Sequence, residues 1–389
     1  MLEIKYSKIA RMTHARFTSL LSQLPASVPF VGPETQERAR GSAFDARLGA
    51  NENVFGPSPK AIAALQSASA EIWKYGDPTS FELRRALAHH HKVRPENIVV
   101  GEGIDGLLGY LARMMIDPGD AVVTSDGAYP TFNYHVSGFG GVLYKVPYKE
   151  DAEDLPALLE EAGRVGAKLV YFANPDNPMG TWHSGDFIME CLARLAKETL
   201  LILDEAYIEF APDDTAAQIA IEDPRVIRMR TFSKGYGLAG ARVGYALAAQ
   251  DLIGQFEKIR NHFGMNRAAQ SAAEAALSDQ AWLHSVREKV EASKQEIACI
   301  AAENGLNTVE SATNFMAIDC GRDGAFAQAV LTHLVQAGLF VRMPFVAPQN
   351  RCIRVSAGRP EDMDLLRRAL PKALAAASAG RANHPCSSL

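Results

Sequence analysis

The chain has 389 residues, 47% hydrophobic and 22% charged, which supplies a full apolar core and excludes disorder of the whole chain. A formal net charge of −5 leaves no global basic field for nucleic acid or an anionic membrane. Five widely spaced cysteines (Cys191, Cys299, Cys320, Cys352, Cys386) without a C-x-x-C pair argue against both a disulfide framework and a zinc site, and fit a reducing cytoplasm.

In chain order, the first thirty or so residues carry Lys5, Lys8, Arg11 and Arg16 and are broken by Pro25 and Pro29, with no continuous apolar stretch. They read as an arm, and residues 1–55 are expected to complete a small domain. Between about 58 and 260, short apolar runs alternate with helical patterns: Asn97–Gly101, Ala121–Thr124, Val142–Val146, Lys168–Phe172, Leu200–Leu203, Val226–Met229 and Val243–Leu247. Helices are predicted over Ser80–His91, Gly103–Met115, Ser184–Lys197 and Asp251–Arg260. Seven strands covered by helices predict a large α/β domain over 56–265, a three-layer sandwich around a mostly parallel sheet. After 266 come long helices up to Glu303, a strand Asn314–Asp319, a helix Gly324–Ala337, strands near Phe340–Arg342 and Cys352–Ser356, and a helix from Pro360. This reads as a smaller α+β domain over 266–378, with 379–389 a flexible tail. No run approaches the length of a membrane span, and no internal repeat is present.

Residues Gly101-Glu-Gly-Ile-Asp-Gly106 spell G-x-G-x-x-G after a strand and at the start of a helix, and Asp126 lies twenty residues further on. That is the dinucleotide fingerprint with its acidic partner. The glycines indicate a phosphate more firmly than a nicotinamide, because free amides at a strand-to-helix turn serve any phosphate. A dinucleotide-dependent oxidoreductase would leave other segments without a role. These are Asn174-Pro-Asp-Asn-Pro-Met-Gly180, Asp204-Glu-Ala-Tyr207 and Thr231-Phe-Ser-Lys-Gly-Tyr-Gly-Leu-Ala-Gly-Ala-Arg242, each at or after a strand of the same domain. In an open α/β sheet ligands lie beyond the carboxyl ends of strands, so these segments can converge with the glycine turn.

Those three motifs closely resemble the fold-type I pyridoxal-5'-phosphate (PLP) aminotransferases, and among them the histidinol-phosphate aminotransferase branch, over roughly residues 46 to 375. The resemblance implies that Lys234 holds the cofactor as a Schiff base and, once freed, shuttles a proton; Lys234 must be neutral to attack the aldehyde. It implies that Asp204 pairs with the pyridinium nitrogen and that Tyr207 and Asn177 hydrogen-bond the cofactor O3'. Taken singly, a lysine in a surface loop, a capping aspartate, a core tyrosine and a turn asparagine are the commoner fates. Ser233, Arg242 and Thr231 match phosphate ligands, joined by the helix start at Gly103, Ile104 and Asp105, and Tyr129 matches the aromatic stacked on the ring. Tyr75 matches a tyrosine that reaches the partner's phosphate, which implies a homodimer with shared sites.

On the substrate side, Arg354 matches the arginine that forks onto a carboxylate or phosphate, Arg342 stands as a second anion ligand, and Asn53 lies in the early N-x-N-E-N-type motif; the two arginines read alternatively as solvated edge residues. His89-His90-His91 reads as a helix end, not a metal site. Here Val54 replaces a proline, His262-Phe-Gly-Met-Asn266 replaces a proline-aromatic-asparagine loop, and Ile104-Asp105-Gly106 stands where a small residue, Asp and Glu are usual. The expected reaction moves an amino group from a small-molecule donor to an oxo acceptor, with histidinol phosphate and 2-oxoglutarate leading. An aromatic or other amino acid, or a decarboxylation of the threonine-phosphate type, stays open.

Overall fold

The computed structural model describes residues 17–24 and 31–382, the last three as backbone only. Most of the expected arm before residue 31, and residues 383–389 of the expected tail with Cys386, lie outside the described residues; the tail's first residues continue the final helix, Pro360–Ala382.

The strands are β1 (Ala46–Arg47), β2 (Ile98–Gly101), β3 (Ala121–Ser125), β4 (Val142–Val146), β5 (Leu169–Ala173), β6 (Leu200–Asp204), β7 (Val226–Thr231), β8 (Gly244–Leu247), β9 (Asn307–Thr308), β10 (Phe315–Asp319), β11 (Leu339–Phe340) and β12 (Cys352–Ser356). β2 to β8 form one seven-stranded sheet in the order β2-β8-β7-β6-β5-β3-β4, and β8 alone pairs antiparallel, with both of its neighbours.

The central strands are near-continuous apolar runs because both their faces are covered. With a period of two, Leu169 and Tyr171 of β5 and Leu200 and Ile202 of β6 point into one core with Leu107, Leu111 and Phe132. Val170, Phe172, Leu201 and Leu203 point into the opposite core with Leu158, Ile188 and Leu192. Helices lie on both faces, so the three-layer α/β sandwich with a mostly parallel sheet is the architecture found.

A second sheet, β12-β10-β9, is antiparallel and packs against the helices Gln280–Glu303, Gly324–Gln336 and Pro360–Ala382 through Ile297, Ile318, Leu334, Ile353 and Leu366. The early segment enters this core, since β1 pairs in parallel with β11 and Leu48 is fully buried beside it.

Two helices are shorter than their periodicity predicts. The first spans Gly185–Leu192, because Arg225 Nη1 donates to the carbonyls of Leu192 and Leu195 and draws the chain out of the helical ladder. The second, Gln250–Phe256, gives way to turns in which the Lys258 and Ile259 amides bond three residues back. β1 and β9, two residues each, are too short to leave an alternating pattern.

Leu111 is fully buried where the helix Gly103–Met115 meets the sheet. Leu111→Ala is expected to lower the unfolding free energy by about 2–5 kcal/mol, measured by denaturant titration, with Leu111→Met losing under about 1.5 kcal/mol.

Candidate active site

The carboxyl ends of β3, β5, β6 and β7 and the helix start after β2 surround a cavity of about 370 Å³, lined by Ile104, Asp105, Tyr129, Asn177, Asp204, Tyr207, Thr231, Ser233, Lys234, Arg242, Arg342 and Arg354 among others. Segments far apart in sequence meet here because a largely parallel sheet delivers the loop after each strand to one edge.

Lys234 follows β7, and its Nζ donates to the Asn51 carbonyl at 3.0 Å, 5.4 Å from the Tyr207 ring centroid. Asp204, the last residue of β6, is buried. Its Oδ2 accepts from the Tyr171 hydroxyl at 2.6 Å and its Oδ1 from the Ala206 amide at 2.9 Å. Burial pushes this carboxyl up to about 6, because the charged form loses its hydration while the two donors compensate only in part. The adjacent Glu205 is equally buried but points to the other side, where Arg230 (2.7 Å) and Arg228 (2.9 Å) override burial and hold it down to about 2. One acid is neutralised inside the fold; the other is aimed at the cavity.

The opposite end of the cavity is built for an anion. Gly103, at φ 79°, opens the helix Gly103–Met115; a Cβ there would collide with the Arg242 guanidinium, so only glycine lets that cation approach the helix start. Arg242 Nη1 donates to Ser233 Oγ at 3.4 Å, and Thr231 Oγ1 accepts from the Ser233 amide at 3.0 Å. A Cβ on Gly244, the first residue of β8, would stand 2.6 Å from the Ile104 nitrogen, so that strand closes the cup at backbone distance. Amides at a helix start, two hydroxyls and one guanidinium suit a phosphate. Asp126, the acidic partner in the dinucleotide reading, instead pairs with Lys145 at 3.1 Å.

Between the two ends, Tyr129 OH donates to Asp105 at 3.2 Å, and burial raises its hydroxyl. Asn177 Oδ1 accepts a short bond from Arg354 Nη1, and Arg354 Nη2 donates to the Gly49 carbonyl at 3.1 Å. Burial draws the Arg354 guanidinium down to about 10. Arg342 donates to the Val31 carbonyl at 2.9 Å, and its main chain bridges to that of Arg354, so both guanidiniums stand on the same wall.

Asn53 and Tyr75 do not line this cavity, and Tyr75 is the residue expected at the partner's site. Asn53 is off the cavity wall, its amide nitrogen donating to the Gly235 carbonyl at 3.1 Å and its oxygen accepting from the Phe55 amide at 3.0 Å. Tyr75 is 77% exposed, its ring 4.9 Å from that of Phe263. Asn51 occupies the wall in place of Asn53: its Nδ2 donates to Tyr207 OH at 2.9 Å and its Oδ1 accepts from Ser356 Oγ at 3.1 Å. Its φ of 55° belongs to the left-handed region that asparagine tolerates, a preference that distinguishes it from its neighbour only once the backbone is known. Tyr171 was hidden inside an apolar run, although a buried tyrosine hydroxyl always needs a partner. The expected Asn-Pro turn is present, with Asn174–Pro175 cis. Among the described residues no cluster of His, Cys, Asp and Glu suits a metal, and no helix is long and apolar enough to cross a membrane.

Residues 46–370 match the family described as aminotransferase class I and II. The chain belongs to that family. Relatives of this aminotransferase include histidinol-phosphate aminotransferase 2 of Carboxydothermus hydrogenoformans, 34% identical over 346 residues that cover 87% of this chain and 94% of the relative. Histidinol-phosphate aminotransferase 2 of Pseudomonas aeruginosa is 35% identical over 355 residues, 89% of this chain and 95% of the relative. Among solved structures, histidinol-phosphate aminotransferase from Sinorhizobium meliloti in complex with pyridoxal-5'-phosphate superposes with a TM-score of 0.91 at 50% identity, covering 94% of this chain and 99% of that one.

The raised Asp204 carboxyl makes the cofactor-free aminotransferase testable by pH. The folded protein binds this proton more tightly than the unfolded chain does, so the group's contribution is intact below about pH 4 and is lost as pH rises through about 6. Asp204→Asn is therefore expected to stabilise the cofactor-free protein by up to about 3 kcal/mol near pH 7 and to match wild type below about pH 4. Denaturant unfolding at both pH values checks this, and an equal difference at both would contradict it.

Proposed function

We propose that this aminotransferase uses pyridoxal 5'-phosphate to move the amino group of histidinol phosphate to 2-oxoglutarate. The observation that carries the proposal is one cavity holding a lysine amine, a buried acid without a cation in hydrogen-bond contact, and an anion cup. This arrangement suits pyridoxal phosphate: aldehyde at Lys234, ring nitrogen at Asp204, phosphate at the Gly103–Arg242 end. When bound, that cofactor supplies an aldehyde to take up the amine and a protonated ring to absorb the electrons left at the substrate Cα.

The chain's own groups do the rest. Lys234 is the covalent anchor and, once released, the base that moves the proton at Cα. Asp204 keeps the ring nitrogen protonated, and the positive ring in turn compensates a carboxylate that burial otherwise disfavours. Tyr207 and Asn177 would hold the ring oxygen, and Tyr129 would pack against the ring. Thr231, Ser233, Arg242 and the amides at Ile104 and Asp105 hold the phosphate. Arg354 and Arg342 take the anionic end of the substrate, where low hydration strengthens their pull. The histidinol-phosphate substrate is supported by the names borne by the relatives and by the 50% identity to the Sinorhizobium enzyme.

The chain is proposed to divide into an arm over 1–55, a large domain over 56–265 and a small domain over 266–378; β1 pairing with β11 supports joining the arm to the small domain. A homodimer belongs to the same proposal. Ile72 (58% exposed), Trp73 and Tyr75 (77% each), Phe81 (58%) and Phe263 (57%) leave large apolar side chains in water, and the Tyr75 and Phe263 rings touch, which suits a surface that a second copy covers. The partner's cofactor phosphate is the proposed target of Tyr75. The cytoplasm is the proposed compartment, since the four described cysteines are free thiols.

Mixed with histidinol phosphate, the purified protein is expected to convert its visible absorbance to that of pyridoxamine phosphate in a single turnover. If histidinol phosphate leaves the spectrum unchanged while phenylalanine shifts it, the substrate assignment is wrong. Lys234→Ala is expected to lose the borohydride-reducible visible band altogether. Trp73→Glu should move the sedimentation coefficient from dimer to monomer and lower kcat/KM by about 10²-fold or more, since a misplaced Tyr75 costs orientation at the partner's site.

A further inference from the structure

Behind the turn that carries Asn177 lie two carboxyl groups that the proposed reaction leaves without a role. Glu153 and Asp176 are each 1% exposed, and they hydrogen-bond to one another. Glu153 also accepts from Ser125 Oγ at 2.7 Å and from the Ala173 amide at 3.2 Å. Asp176 accepts from Tyr148 OH at 2.8 Å and from the Met179 amide at 3.0 Å. Neither carboxyl makes a salt bridge among the described residues. Two carboxyls in hydrogen-bond contact cannot both ionise, and a bond between them requires that one keep its proton.

Asp176 immediately precedes Asn177, and its main chain closes the turn by bonding Thr181 O at 2.9 Å. Through that turn it fixes where the Asn177 amide stands, and Asn177 in turn accepts from the Arg354 guanidinium. Arg354 is also a cation whose field reaches Asp176. We propose that Glu153 and Asp176 are positioning residues, a carboxylic acid–carboxylate pair holding one proton between them, which locks Asn177 and Arg354 in the geometry that receives the anionic end of the substrate. Burial raises both carboxyls above their ordinary range, in keeping with a proton retained by the pair. The pair also leaves one negative charge, not two, behind the arginine that must attract an anion.

The inference deepens the proposed function and rests on it for the identity of the anion, but its first test needs no turnover. Infrared difference spectra between wild type and Glu153→Gln, both cofactor-free, should show the carbonyl band of a buried protonated carboxylic acid in wild type alone; its absence from wild type overturns the pair. The second test compares Glu153→Gln with Glu153→Leu in the holoenzyme. Glutamine supplies a donor to Asp176 and an acceptor to the Ala173 amide, so the KM for histidinol phosphate should stay within about threefold of wild type, whereas leucine should raise it about tenfold or more with kcat changed less. Folding of the leucine variant is checked by its far-ultraviolet circular dichroism. A folded leucine variant with wild-type KM overturns the positioning role, as does a glutamine variant as impaired as the leucine one. A wild type inert towards histidinol phosphate would sink the proposed function instead, and the infrared result would then decide the pair by itself.

Discussion

A carboxylate at the buried end of a central strand is the constraint around which the site is arranged. Asp204 is carried there by four apolar residues of β6 and among the described residues accepts from a tyrosine hydroxyl and one amide, so the fold keeps an acid where acids are costly. Glu205, one residue on, shows what the same backbone does when charge is merely to be neutralised: it turns away and collects two arginines. The difference between neighbours lies wholly in which side of the strand end each faces. A cationic ring beside Asp204, as proposed, would repair the deficit and tie affinity for the cofactor to the identity of the acid.

The other constraints follow from the distance between that acid and the anion cup. Gly103 and Gly244 allow backbone and guanidinium to crowd at one end, and Lys234 reaches into the middle from the loop after β7. Arg354 on β12 closes the remaining wall together with Asn51, whose carbonyl receives both Lys234 Nζ and the Asn314 side-chain amide. Asn51 thus joins the lysine, Tyr207 and the small sheet in one hydrogen-bonded junction.

Much of this was legible in the residues. The seven runs between 97 and 247 all became strands of one sheet, since a period of two with β-branched residues and turn signals leaves few alternatives. The segments at 174–180, 204–207 and 231–242 could be assigned to one site because each ends or follows a strand of the same sheet. What could not be read depended on backbone geometry or on distant contacts. That Asn51, and not the expected Asn53, lines the cavity shows only once the left-handed backbone of Asn51 is known. Tyr171 looked like any core aromatic until its hydroxyl met Asp204. The helix starting at Gly185 was overestimated because the residue that ends it, Arg225, lies more than thirty positions away in sequence.

The reversed direction of β8 bears on the order of events during synthesis. Because this strand runs against the rest, its first residue, Gly244, lies beside Gly101 and packs on the start of the helix at Gly103. A ribosome that has released only residues 1–210 has produced the acid and most of the strands of the large sheet, but not Lys234, Arg242 or Gly244, which shut the pocket. The cup at the helix start is therefore complete only once the chain has been made through Gly244, the residue that closes it.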